Sequence, residues 1–114
     1  MRRSNRFFGV TALMVLALAT FATLEKVKAA GPPAVAVKID NFTFTPTTLT
    51  VKAGTQITWT NGDDIPHTVV SDNQSFRSKV LDTDEKFTFT ASKPGTYSYF
   101  CSIHPKMTGT VVVQ

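Results

Sequence analysis

A chain of 114 residues whose first 29 read as a separate leader leaves 85 for one hydrophobic core, which excludes a large multidomain enzyme. The formal charge of +4 misleads, because five of the twelve Lys and Arg (Arg2, Arg3, Arg6, Lys26, Lys28) and one of the eight acids (Glu25) fall in that leader. The remainder balances at seven cations against seven anions, so nothing there displaces counterions from phosphates, and no nucleic-acid partner is expected.

In chain order, the leader comes first. Arg2, Arg3 and Arg6 precede an apolar stretch from Phe7 to Leu24, and small residues follow at Val27-Lys28-Ala29-Ala30. This is the order of a secretory signal peptide, with cleavage expected after Ala29 and a mature domain over 30–114 in the periplasm or another exported compartment. A retained membrane anchor reads the same over residues 1–29 and would tether the domain; without it, no membrane contact is expected. No Cys stands near the boundary, which excludes a lipid-bearing N-terminal Cys. The lone Cys101 has no disulfide partner in an oxidising compartment, so it is either buried or bound to something.

After Gly31-Pro32-Pro33 the chain alternates β-branched or aromatic runs with turn residues, and no helical period appears. Eight strands are predicted: Val35 to Ile39, Phe42 to Phe44, Thr48 to Val51, Gln56 to Asn61, Thr68 to Ser71, Lys86 to Thr90, Thr96 to Phe100 and Thr108 to Val113. Their spacing suits an antiparallel β-sandwich. Ile57 and Trp59 share one face of their strand, as Phe87 and Phe89 do of theirs, so both strands are expected to bury one side. Lys52-Ala53-Gly54 and Ser92-Lys93-Pro94-Gly95 read as hairpin-style turns. Asp72 to Glu85 reads as a polar surface connection with one helical turn near Arg77 to Leu81 and no chemistry of its own, and Asp63-Asp64 reads as a solvated turn.

The chemistry concentrates in Cys101-Ser102-Ile103-His104-Pro105-Lys106-Met107, where a thiol, an imidazole and a thioether recur every third residue. Pro105 opposes a helix, and a strand would throw ligands three apart to opposite faces, so a curled loop is expected. A fourth donor, His67, lies 34 residues before Cys101 in the turn Asn61-Gly62-Asp63-Asp64-Ile65-Pro66-His67. Taken singly, Met107 is a core filler, Cys101 a buried hydrophobe and each His a surface residue. Taken together, they are the whole stock of His, Cys and Met beyond the leader. Thiolate and thioether with two imidazoles suit one copper ion, as trigonal His2Cys with a weak axial Met, whereas zinc seldom takes Met.

On these residues, with Trp59-Thr60-Asn61, Pro66-His67 and Pro94-Gly95-Thr96-Tyr97-Ser98-Tyr99, the chain resembles the cupredoxin family, and within it the amicyanin branch. Plastocyanin and pseudoazurin share the pattern with a longer His-to-Met spacing. The resemblance implies an all-β Greek-key sandwich of about eight strands with copper near one end. It implies His67, Cys101 and His104 as equatorial ligands, Met107 as the axial one, and Thr68 and Asn61 as outer contacts, with the Thr68 N–H donating to the Cys sulfur. Amicyanin carries Asn at the Thr68 place, so this chain departs there in side chain. The connection from Ser71 to Phe87 looks shorter than in amicyanin, so partner recognition does not carry over.

The resemblance further makes His104 the electron port, ringed by Ile65, Pro66, Ile103 and Pro105, with Lys106 favouring an acidic partner. The expected function is that of a monomeric electron-transfer protein shuttling single electrons between redox partners by brief docking. The alternative is a copper carrier or chaperone using the same ligands. No catalytic triad, paired-carboxylate site or phosphate loop appears, and no enzyme activity is expected.

Overall fold

The computed structural model describes residues 31–114; the signal-segment reading lies outside the described residues. Among the described residues eight strands form: β1 (Ala34–Asp40), β2 (Thr43–Thr45), β3 (Thr48–Val51), β4 (Thr55–Asn61), β5 (Val70–Ser71), β6 (Lys86–Ala91), β7 (Gly95–Phe100) and β8 (Thr108–Val113). They pair into two four-stranded sheets in the orders β2-β1-β4-β6 and β3-β8-β7-β5. The expected β-sandwich is therefore present, with strand bounds within two residues of those read from alternation.

Each strand forms for the reason its sequence gives. In β4 the inward positions Thr55, Ile57, Trp59 and Asn61 are buried while Gln56, Thr58 and Thr60 face outward half-covered, as a period of two demands. Opposite them on β6 stand Phe89, paired with Ile57, and Phe87, paired with Trp59. The second sheet turns Tyr97, Tyr99, Val111 and Val113 inward to meet them. Trp59 joins the layers: its ring centroid lies 5.5 Å from Tyr99 at an interplanar angle of 81°, and 5.6 and 5.7 Å from Phe76 and Phe87. The edge-to-face pair with Tyr99 adds about 0.5–1.5 kcal/mol beyond its area burial.

Three expectations need correction. The sandwich is mixed: β1 runs parallel to β4, and β3 parallel to β8. Alternation reports which face is buried and is silent on the neighbour's direction. Secondly, Lys52-Ala53-Gly54 and Ser92 to Gly95 are not hairpins, since β3 and β4, like β6 and β7, belong to different sheets. They carry the chain across the sandwich, and Gly54, at φ 94°, takes the positive φ that the first crossing requires.

Thirdly, no helical turn forms near Arg77 to Leu81. That stretch is extended, with Arg77 bridged to Val70 and Leu81 to His67. It buries Phe76, Ser78 and Leu81, so the connection is part of the core and not a surface excursion. Hydrogen bonds to strand-like neighbours satisfy more backbone groups here than an isolated turn could.

Candidate metal centre

Four segments meet at one end of the sandwich: the β1–β2 turn, the β4–β5 loop with His67, the stretch around Leu81, and the loop from Cys101 to Met107. The β4–β5 loop is built on Asn61, which is fully buried. Its Nδ2 donates to the carbonyls of Ile65 (2.8 Å) and Leu81 (2.9 Å), and its Oδ1 accepts from the Asp63 N–H (2.9 Å). One side chain therefore shapes the turn that delivers His67. The His67 backbone exchanges two bonds with Leu81, at 3.0 and 2.7 Å, and the imidazole is completely buried.

Strand β7 ends at Phe100 and releases Cys101 into the ligand loop. That loop is closed by the Cys101 N–H donating to the Met107 carbonyl (3.0 Å) and the Met107 N–H donating to the His104 carbonyl (2.9 Å). The curled loop expected from the spacing is what forms. Cys101 and Met107 are buried, His104 is half-buried, and Ser102, Ile103, Pro105 and Lys106 are exposed.

His67, Cys101 and His104 come together although 34 residues separate the first two, and their ligand atoms all lie within 4.8 Å of one another. Cys101 Sγ stands 3.7 Å from His67 Nδ1 and 3.8 Å from His104 Nδ1. Metal–nitrogen bonds of about 2.0–2.1 Å and a metal–sulfur bond of about 2.3 Å put N and S about 3.8 Å apart at 120°, and about 3.6 Å apart at a tetrahedral angle. Both separations therefore suit one ion shared by the sulfur and each nitrogen. The donor set of one thiolate and two imidazoles suits copper.

Electrostatics favour the thiolate. Burial pushes the Cys101 thiol up, but bonds from the Thr68 backbone N–H, the side chains of His67 and His104, and the His104 backbone outweigh it and bring the pKa down from 9.0 to about 6. The Thr68 N–H lies 3.4 Å from Sγ. The Thr68 hydroxyl is 3.8 Å from the same sulfur, 2.7 Å from Ser102 Oγ, and accepts the Ser102 N–H at 2.7 Å. Thr68 thus ties the two ligand-bearing loops together across the sulfur.

Two residues near the site escaped the sequence reading. Asp63, read as part of a solvated turn, is mostly buried, and its Oδ2 lies 2.8 Å from His67 Nε2. This contact fixes the ring so that Nδ1 faces the sulfur, the usual outer support of a metal-binding His. Burial raises the Asp63 pKa, but the N–H groups of Phe42 and Asn41, with His67, overcome that and hold its carboxyl below the ordinary value. A carboxylate four residues before a candidate ligand was the signal that could have found it. Phe42, read as the start of β2, instead stands in the β1–β2 turn, 44% exposed. Its ring lies edge-on to His67 at 5.4 Å and to His104 at 5.0 Å. Of the residues read around His104, Ile65 is 40% and Ile103 44% exposed, and Pro66 and Pro105 are exposed as well.

The Cupredoxin-like domain family matches residues 11–113. An amicyanin from Paracoccus versutus is 36% identical over 100 residues, covering 81% of this chain and 76% of that protein. A chloroplastic plastocyanin from Tetradesmus obliquus is 37% identical over 84 residues, covering 62% of this chain and 58% of that protein. Among solved structures, a purple cupredoxin from Nitrosopumilus maritimus superposes with a TM-score of 0.67 at 33% identity, covering 70% of this chain and 99% of that one. A two-sheet sandwich with His67, Cys101 and His104 gathered at one end, matched along most of its length, places the chain in the cupredoxin-like family.

Proposed function

We propose that this chain is an electron carrier and not an enzyme, holding one type 1 copper ion on His67 Nδ1, Cys101 Sγ and His104 Nδ1, with Met107 as a weak axial donor. The convergence of three donors at separations suited to one shared ion carries the reading. When bound, copper supplies a one-electron Cu(I)/Cu(II) couple. The residues supply the rest. His67 is locked by Asp63 and Cys101 by Thr68, so the donors are held in place whether the site is oxidised or reduced. Little rearrangement between the two states means a low barrier to electron transfer. The burial of Met107 in the same loop fits the axial role.

His104, the less buried of the two histidines, is the exit. The apolar collar of Ile65, Pro66, Ile103 and Pro105 suits a small, short-lived contact with a redox partner, and the exposed Lys106 favours an acidic one. Residues 1–29 direct export, so the mature protein works outside the cytoplasm from Ala30 onward.

Voltammetry of the copper-loaded protein tests this reading. A reversible one-electron wave from a protein that keeps its copper is expected. A protein without such a wave that passes its copper quickly to a metal-free acceptor would be a carrier of the metal instead.

A further inference from the structure

The β1–β2 connection is a two-residue hairpin in which Asn41 (φ 51°) and Phe42 (φ 56°) both take left-handed backbone conformations. Such turns favour Asn-Gly, because the second position crowds any side chain. Asn41 obeys that preference. A bulky aromatic at φ 56° is an outlier, and backbone strain of this kind persists only where surrounding groups enforce it.

Here the enforcing group is Asp63. Its Oδ1 accepts the Asn41 N–H at 2.6 Å, and its Oδ2 accepts the Phe42 N–H at 3.0 Å while lying 2.8 Å from His67 Nε2. One carboxylate therefore fixes both the strained turn and an imidazole. Phe42 stands outside the core cluster, so core packing does not explain the strain. The ring goes to the two histidines, nearly perpendicular to both at 89° and 88°.

We propose that Phe42 is a positioning residue for the metal-ligating pair, held in a strained turn by Asp63 so that a single ring clamps the imidazoles of His67 and His104 and keeps water from their outer side. The proposal rests on the reading that these histidines ligate copper. It adds a third loop to the two that carry the ligands.

The test compares wild type, Phe42→Gly and Phe42→Tyr. Gly relieves the turn and removes the ring, whereas Tyr keeps both the strain and the ring. With excess EDTA, Cu(II) is expected to leave Phe42→Gly at least tenfold faster than wild type, and Phe42→Tyr within twofold of it. The metal-free Phe42→Gly protein is expected to melt at or above the wild-type temperature, which separates loss of the clamp from loss of the fold. An unchanged rate in Phe42→Gly, or no recovery in Phe42→Tyr, overturns the proposal. NMR of the metal-free proteins reads the clamp without copper: the ring protons of His67 and His104 should shift in Phe42→Gly, and unmoved resonances overturn it. A wild-type protein that takes up no copper would sink the electron-carrier reading, and the NMR comparison would still decide the clamp.

Discussion

A buried thiol without help keeps its proton, because the apolar surroundings penalise the thiolate. Cys101 is buried, yet donors from Thr68, His67 and His104 hold its pKa near 6. The unfolded chain protonates this group below about pH 9, and the folded chain only below about pH 6. Between those values the unfolded state binds more protons, so the stability contributed by Cys101 rises with pH and is lost as pH falls through about 6. In the metal-free protein, the melting-temperature advantage of wild type over Cys101→Ser is expected to grow from pH 6 to pH 9; a constant gap would contradict the depressed pKa. Met107 carries a different expectation. A weak axial donor tunes the couple and does not hold the ion, so Met107→Gln should keep copper and shift the reduction potential in voltammetry. Loss of the metal, or an unmoved potential, would count against that role.

At the scale of elements, strands β7 and β8 show how closely the fold is packed beneath the ligand loop. Tyr99 on β7 faces Gly109 on β8, and its ring lies across the space where a Cβ at 109 would stand, with Cε1 only 2.8 Å away. Gly109→Ala is therefore expected to cost about 1–3 kcal/mol in urea unfolding, as overpacking does. A neutral result would show that Tyr99 swings aside freely. Strands β4 and β6 show what was legible beforehand. Alternation marked Ile57 and Trp59, and Phe87 and Phe89, as the inward positions, because burial imposes a period of two. It was silent on direction and partner, so the parallel pairs β1–β4 and β3–β8 could not be read. Phe42 to Phe44 read as one strand. The left-handed backbone of Asn41 and Phe42 puts Phe42 in the turn instead. The stretch from Asp72 to Glu85 misled because its polar residues mask Phe76 and Leu81, which are buried only once tertiary contacts form.

For the whole molecule, the sandwich acts as a frame that sets two distant loops against each other. Trp59 and Tyr99 bind the sheets together at the core, Asn61 at the end of β4 shapes the His67 loop, and β7 hands Cys101 to the opposite loop. The donor cluster was legible because Cys101 and His104 are close in sequence and, with His67, they are every His and Cys beyond the leader. Two of its outer supports, Asp63 and Phe42, were not, since the Asp63 contact with His67 and the Phe42 contact with both histidines exist only after folding. This frame presents one thiolate-bearing copper site, and a visible absorption titration of the metal-free protein with Cu(II) probes that site. An intense charge-transfer band that saturates at one equivalent is expected; a protein that stayed colourless past that point would rule the site out.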